Sequence, residues 1–163
     1  MSHGLHRLTA SLEMPVPLEE VFPFFAAAGN LERITPPQLR FRITTPEPVR
    51  IQKGTLIDYS LSLYGMKFGW RTLISEWNPP HAFVDEQLRG PYKVWRHRHS
   101  FEATQRGTLM RDAVDYALPL FPLGELALPV VRLQVKGIFT FRQKQVMRLF
   151  GVREEDCVWS VEA

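Results

Sequence analysis

The chain has 163 residues, 45% of them hydrophobic and 23% charged, which excludes a disordered chain and suits a single domain. Its 20 Lys+Arg against 17 Asp+Glu give a net charge of +3, spread along the chain rather than blocked. A nucleic-acid binder is not expected, because neither a basic stripe nor a reading motif is present.

The N-terminus, MSHGLHRLTASLEMPVP, lacks the continuous apolar core of a signal peptide. No apolar run reaches the length of about 18 residues that a membrane span needs. A cytoplasmic protein is the expectation. Leu8, Ala10, Leu12 and Met14 alternate with polar residues, the pattern of a half-buried strand. Pro17 suits a helix first turn, with Glu19 and Glu20 near its positive end. That helix, about residues 18–26, must be short or kinked at Pro23. Asn30 can cap a second short helix that ends before Pro36-Pro37. Leu39, Phe41 and Ile43 then predict a second strand. Alternation predicts further strands over residues 57–63, 66–78, 82–89, 93–102 and 108–118.

From Pro129 to Phe150 the period changes. Val131, Val135, Ile138, Phe139, Val146 and Leu149 share one broad helical face. Arg132, Lys136, Gln143, Lys144 and Arg148 take the other. Arg142 falls near the boundary and is read as solvated, with contact to an anionic ligand as the alternative. The tail, residues 151–163, is expected to be loosely ordered. It holds the lone cysteine, Cys157, which cannot form an internal disulfide and is no catalytic signature by itself. The sum is an α+β domain: a curved seven-stranded antiparallel sheet around one long C-terminal helix, with two short helices after the first strand. Such an arrangement leaves a space between sheet and helix.

Strand pairing turns alternation into a test of which residues share a face. A two-residue turn at Tyr64-Gly65 places Leu61 opposite Phe68, Tyr59 opposite Trp70, and Ile57 opposite Thr72. Both apolar sets land together. A turn at Gln105-Arg106 places Phe101 opposite Met110, His99 opposite Asp112, His97 opposite Val114, and Trp95 opposite Tyr116. The other face then carries Arg96, Arg98, Ser100, Arg111 and Asp115, a solvated set. Opposed Cβ atoms lie roughly 5 Å apart, within reach of a His99–Asp112 hydrogen bond. The pair is either a satisfied core pair or a cavity acid/base pair. Asp85 and Gln87 depend on the turn near Gly90. A three-residue turn aims them inward opposite His97 and Trp95, and a two-residue turn aims them out. His97 and His99 also project from one strand face, as metal ligands do, and Asp85 or Asp112 could complete a set. No Cys or further His joins them in sequence, and no metal or other cofactor is expected. A Gly-rich phosphate loop and a Gly-x-Ser-x-Gly elbow are both absent.

Several stretches carry a family resemblance: Trp70-Arg71-Thr72; Glu76-Trp77-Asn78-Pro79-Pro80; Phe83-Val84-Asp85-Glu86-Gln87; Gly90-Pro91-Tyr92 with Trp95, His97, His99 and Phe101; and Asp112 with Tyr116 and Pro119. With the element order, they resemble the START-like (SRPBCC) superfamily and its helix-grip fold, over about residues 5–150. The likeness is strongest to bacterial stand-alone ligand-binding or cyclase-like members. The resemblance favours the inward setting of Asp85 and Gln87. It implies a cavity for a hydrophobic, ring-containing small molecule. Tyr59, Phe68, Trp70, Trp95, Tyr116, Val135 and Phe139 are its expected lining, with Asp85, Gln87, His97, His99 and Asp112 as polar members. The alternatives are an aromatase/cyclase- or dehydratase-like enzyme using His99 and Asp112, and a chaperone-cofactor-like interaction domain. The apolar segment LPLFPLGELAL, residues 118–128, is read as a gate to the cavity or a homodimer contact.

Overall fold

A computed structural model of the chain describes residues 4–163. Strand β1 (Leu5–Met14) is followed by helix α1 (Leu18–Phe25), which holds Pro23 in its last turn. Two 3-10 segments come next, Ala28–Ile34 and Pro37–Leu39. Strands β2 (Arg42–Ile43), β3 (Leu56–Leu63), β4 (Met66–Asn78), β5 (Ala82–Arg89), β6 (Val94–Thr104) and β7 (Gly107–Ala117) follow. A 3-10 segment, Leu123–Ala127, leads into α2 (Leu128–Leu149), and β8 (Val158–Glu162) comes last. All strands form one sheet in the order β2-β3-β4-β5-β6-β7-β1-β8.

The sheet has eight strands, not the expected seven, because the tail is ordered as β8. β8 pairs antiparallel with β1, from Thr9 opposite Glu162 to Glu13 opposite Val158. The physical reason is an open edge: β1 pairs β7 on one side and would leave a row of bare N–H and C=O groups on the other. Val161 is buried against Leu8 and Ala10 in the same step. Two further readings change near the second strand. It shrinks to Arg42–Ile43, because Leu39 lies in a 3-10 turn and Arg40 adopts a left-handed conformation. The second short helix is a 3-10 segment that Asn30 does not cap. The Asn30 amide donates instead to the Phe24 carbonyl at 2.9 Å.

Registers follow the turns. Tyr64 and Gly65 both have positive φ, 51° and 78°, as the favoured two-residue hairpin turn requires. Leu63 then pairs with Met66, Tyr59 with Trp70 and Ile57 with Thr72. At the β6–β7 hairpin Thr104 pairs with Gly107, His99 with Asp112 and Trp95 with Tyr116. Asp85 pairs with His97, the inward setting. The convex face is laced by ion pairs such as Arg71–Asp58, Arg98–Glu76 and Arg111–Glu102.

Two helices share the concave face. α1 sets Val21, Phe22 and Phe25 against Phe101 and Met110 at one end. α2 buries Val131, Val135, Phe139 and Val146 along the rest. Gln143 was assigned by period to the solvated face, yet it is fully buried, with both amide atoms unpartnered. An orphaned buried amide costs stability that an apolar side chain of similar length would not. Gln143→Met is therefore expected to raise stability by about 1 kcal/mol. Urea titration checks this, and a destabilised variant contradicts it.

A candidate ligand cavity and its histidine cluster

Curvature of the sheet leaves a cavity of about 160 Å³ between β3–β6, the middle of α2 and the two 3-10 segments after α1. Tyr59, Trp70, Trp95 and Phe139 line it, as do Asp85, His97 and His99. Tyr59 stacks on Trp70 with ring centroids 5.6 Å apart, and both side chains meet the Thr72 hydroxyl. Burial and the nearby Asp85 charge push the Tyr59 phenol far up, so it stays neutral.

Five expected lining residues lie off the wall. Phe68 packs instead into the cluster around Leu39, Phe41 and Leu61. Val135 is fully buried beside Leu8 and Val114. Tyr116 is fully buried under Tyr92 and Trp95. The Gln87 amide is spent on the loop: its Nε2 donates to the Tyr92 carbonyl at 2.6 Å and its Oε1 accepts from the Tyr92 N–H. Asp112 stands behind the two histidines, 2% exposed. No residue of 118–128 touches the cavity either, so that segment is not its gate.

The structure adds lining that sequence reasoning missed. Phe41, Thr72, Tyr92 and Arg142 all belong to the wall. Arg142 is 8% exposed, not solvated. Its guanidinium lies 5.7 Å from the Phe25 ring and 5.7 Å from the Phe139 ring. Its position three residues after Phe139 was the available signal, since that spacing stays on the buried stripe.

The polar end of the site comes from three adjacent strands. β5 gives Asp85, β6 gives His97 and His99, and β7 gives Asp112. Asp85 directly opposes His97, and Asp112 directly opposes His99, but the hydrogen bonds run along the diagonals. His97 Nε2 is 2.8 Å from Asp112 Oδ1, and His99 Nε2 is 2.8 Å from Asp85 Oδ2. The expected His99–Asp112 hydrogen bond is not made. His99 Nδ1 comes within 3.1 Å of Asp112 Oδ1, but out of line for a bond. The two imidazoles face each other at 3.7 Å between centroids. Phe83 stacks on His99 at 4.1 Å, and Phe139 meets His97 edge-on at 5.3 Å.

Burial works against every charge here. For Asp112 the Arg142 cation and the two histidines outweigh it and hold the carboxyl well below the usual range. His97 and His99 likewise hold Asp85 low. Burial and the neighbouring His99 push His97 down. His99 moves up, because the two carboxylates outweigh its burial. The cluster therefore keeps a proton on His99 in preference to His97.

No family model matches the chain, and no curated protein matches it in sequence. Solved structures match in fold. Protein Ms6760 from Mycobacterium smegmatis is 19% identical, with a TM-score of 0.67 over 89% of this chain and 90% of that one. Ara h 8.0201 is 16% identical, with a TM-score of 0.61 over 89% and 99%. The major latex-like protein 151 of Panax ginseng is 11% identical, with a TM-score of 0.60 over 88% and 95%. The chain thus has the helix-grip fold: one large antiparallel sheet gripping a long C-terminal helix. No helix among the described residues is long and apolar enough to cross a membrane.

Proposed function

We propose that the chain binds a hydrophobic small molecule containing an aromatic ring and at least one polar group. The observation that carries this reading is the make-up of the cavity wall. Tyr59, Trp70, Tyr92, Trp95 and Phe139 present ring faces and edges, while the polar groups gather at Asp85, His97, His99 and Arg142. An apolar cavity of about 150 Å³ is enough to hold benzene. The 160 Å³ here suits one ring in the dry part of the site. A ligand hydroxyl, carbonyl or carboxylate then meets the polar end, where buried partners set orientation.

Native mass spectrometry against single- and double-ring aromatic compounds tests the reading. The expected result is a 1:1 complex with compounds that carry one oxygen function. Trp70→Ala removes a ring face and is expected to weaken binding at least about tenfold, within the range of a lost aromatic contact. Retention of no ring compound, or binding unchanged in Trp70→Ala, overturns it.

A further inference from the structure

The histidine cluster holds more donors aimed at one point than an acid/base pair needs. Three atoms converge on the cavity side: Asp85 Oδ2, one nitrogen of His97 and one of His99, all within 4.8 Å of one another. Asp85 Oδ2 is 3.6 Å from His97 Nδ1 and 2.8 Å from His99 Nε2. Donors around a tetrahedral ion with bonds of about 2.1 Å stand about 3.4 Å apart, and the two separations bracket that value.

The far nitrogens are also arranged. His97 Nε2 lies 2.8 Å and His99 Nδ1 lies 3.1 Å from the same Asp112 oxygen. A carboxylate behind a ligating imidazole fixes its tautomer and raises its basicity. Asp112 does this for His97, whose Nε2 makes the hydrogen bond. Metal binding requires both imidazoles neutral. Asp85 and Asp112 then stand against Arg142 alone, which leaves a net negative charge for a cation to offset.

We propose that Asp85, His97 and His99 bind a divalent transition cation of the zinc or ferrous class, with Asp112 orienting the His97 imidazole from behind. Two imidazoles and one carboxylate are a donor set typical of such ions. Three ligands leave a coordination position free, and the cavity adjoins it, since all three residues line that wall. The ion would give the polar end of the cavity a Lewis acid for a ligand oxygen.

Protein stripped with a chelator is dialysed against zinc, and bound metal is counted by elemental mass spectrometry. Cobalt(II) then serves as the spectroscopic probe. One zinc per chain is expected, with a Kd at or below about 1 μM, and a visible cobalt band. Histidine ring resonances of His97 and His99 should shift on zinc addition. Asp85→Asn and His99→Phe, checked for folding by circular dichroism, are each expected to weaken uptake at least about 100-fold. Three results overturn the proposal: no zinc uptake by the wild-type protein, a cobalt band that survives in both variants, or ring resonances that do not move. Aromatic-ligand binding by the metal-free protein is measured in parallel. Failure of the metal site and failure of the cavity reading are thus separate outcomes.

Discussion

Asp112→Ala is expected to lower stability by about 3 kcal/mol at neutral pH, the scale of breaking a buried ion pair on one side. Asp112 is 2% exposed and faces two buried imidazoles and the Arg142 cation. Removing it leaves His97 Nε2 without its 2.8 Å acceptor and takes away one of the two carboxylates near the Arg142 cation. The effect carries a pH signature. The folded protein holds this carboxyl below its ordinary value of 3.8. A depressed carboxyl contributes its full stability above the ordinary value and loses it as pH falls towards the lowered one. Wild type and variant should therefore differ most near neutrality and converge below about pH 4. Urea titrations at several pH values measure both. A loss under about 1 kcal/mol, or a gap that stays constant into acid, contradicts the assignment.

Gly107→Ala is the other change with a large expected effect. Gly107 opens β7 with φ of 136°, a conformation that side chains rarely tolerate. A Cβ there would press on the Met14 carbonyl oxygen, on Val16 N at 2.7 Å and on Pro15 Cα at 2.9 Å. All three are backbone atoms, so no flexible side chain can swing aside. The same corner is tied by the Thr108 hydroxyl, which donates to the buried Val16 carbonyl at 2.7 Å. Strain and clash together are expected to cost about 3 kcal/mol or more, which lowers Tm by about 8 °C for a chain of this size. A melting temperature within about 2 °C of wild type refutes this reading of the corner.

The β6–β7 turn also explains how much of the site was legible in the sequence. Once Gln105-Arg106 is the turn, parity alone puts His97, His99 and Asp112 on one face, and the register agrees. Parity does not say which carboxylate each histidine takes. Directly opposed side chains were expected to pair, but the twisted sheet brings diagonal neighbours together. His97 reaches Asp112 and His99 reaches Asp85 by that route. Gln87 went wrong for a different reason. Its strand position is inward, but a long amide can bend back to a loop, and no periodicity records that. Arg142 was misjudged because charge was weighted above spacing. The stripe of Val135, Phe139 and Val146 already ran beside it, and charges inside the cavity compensate its burial. β8 escaped because a five-residue strand carries too little alternation to stand out. Its order comes from the partner edge of β1, a long-range contact.

β8 has a bearing on how the folded chain behaves at high concentration. An eight-stranded open sheet ends in two edges, each a template on which another molecule can polymerise. One edge is β2, only two residues long. The other is β8, five residues long, which covers Thr9–Glu13 of the ten-residue β1. Short edges give an incoming strand few backbone hydrogen bonds, so fibre growth from the native state gains little. Trimming β8 would bare Thr9–Glu13 and make the open edge the full ten residues of β1, a longer template for strand-by-strand assembly.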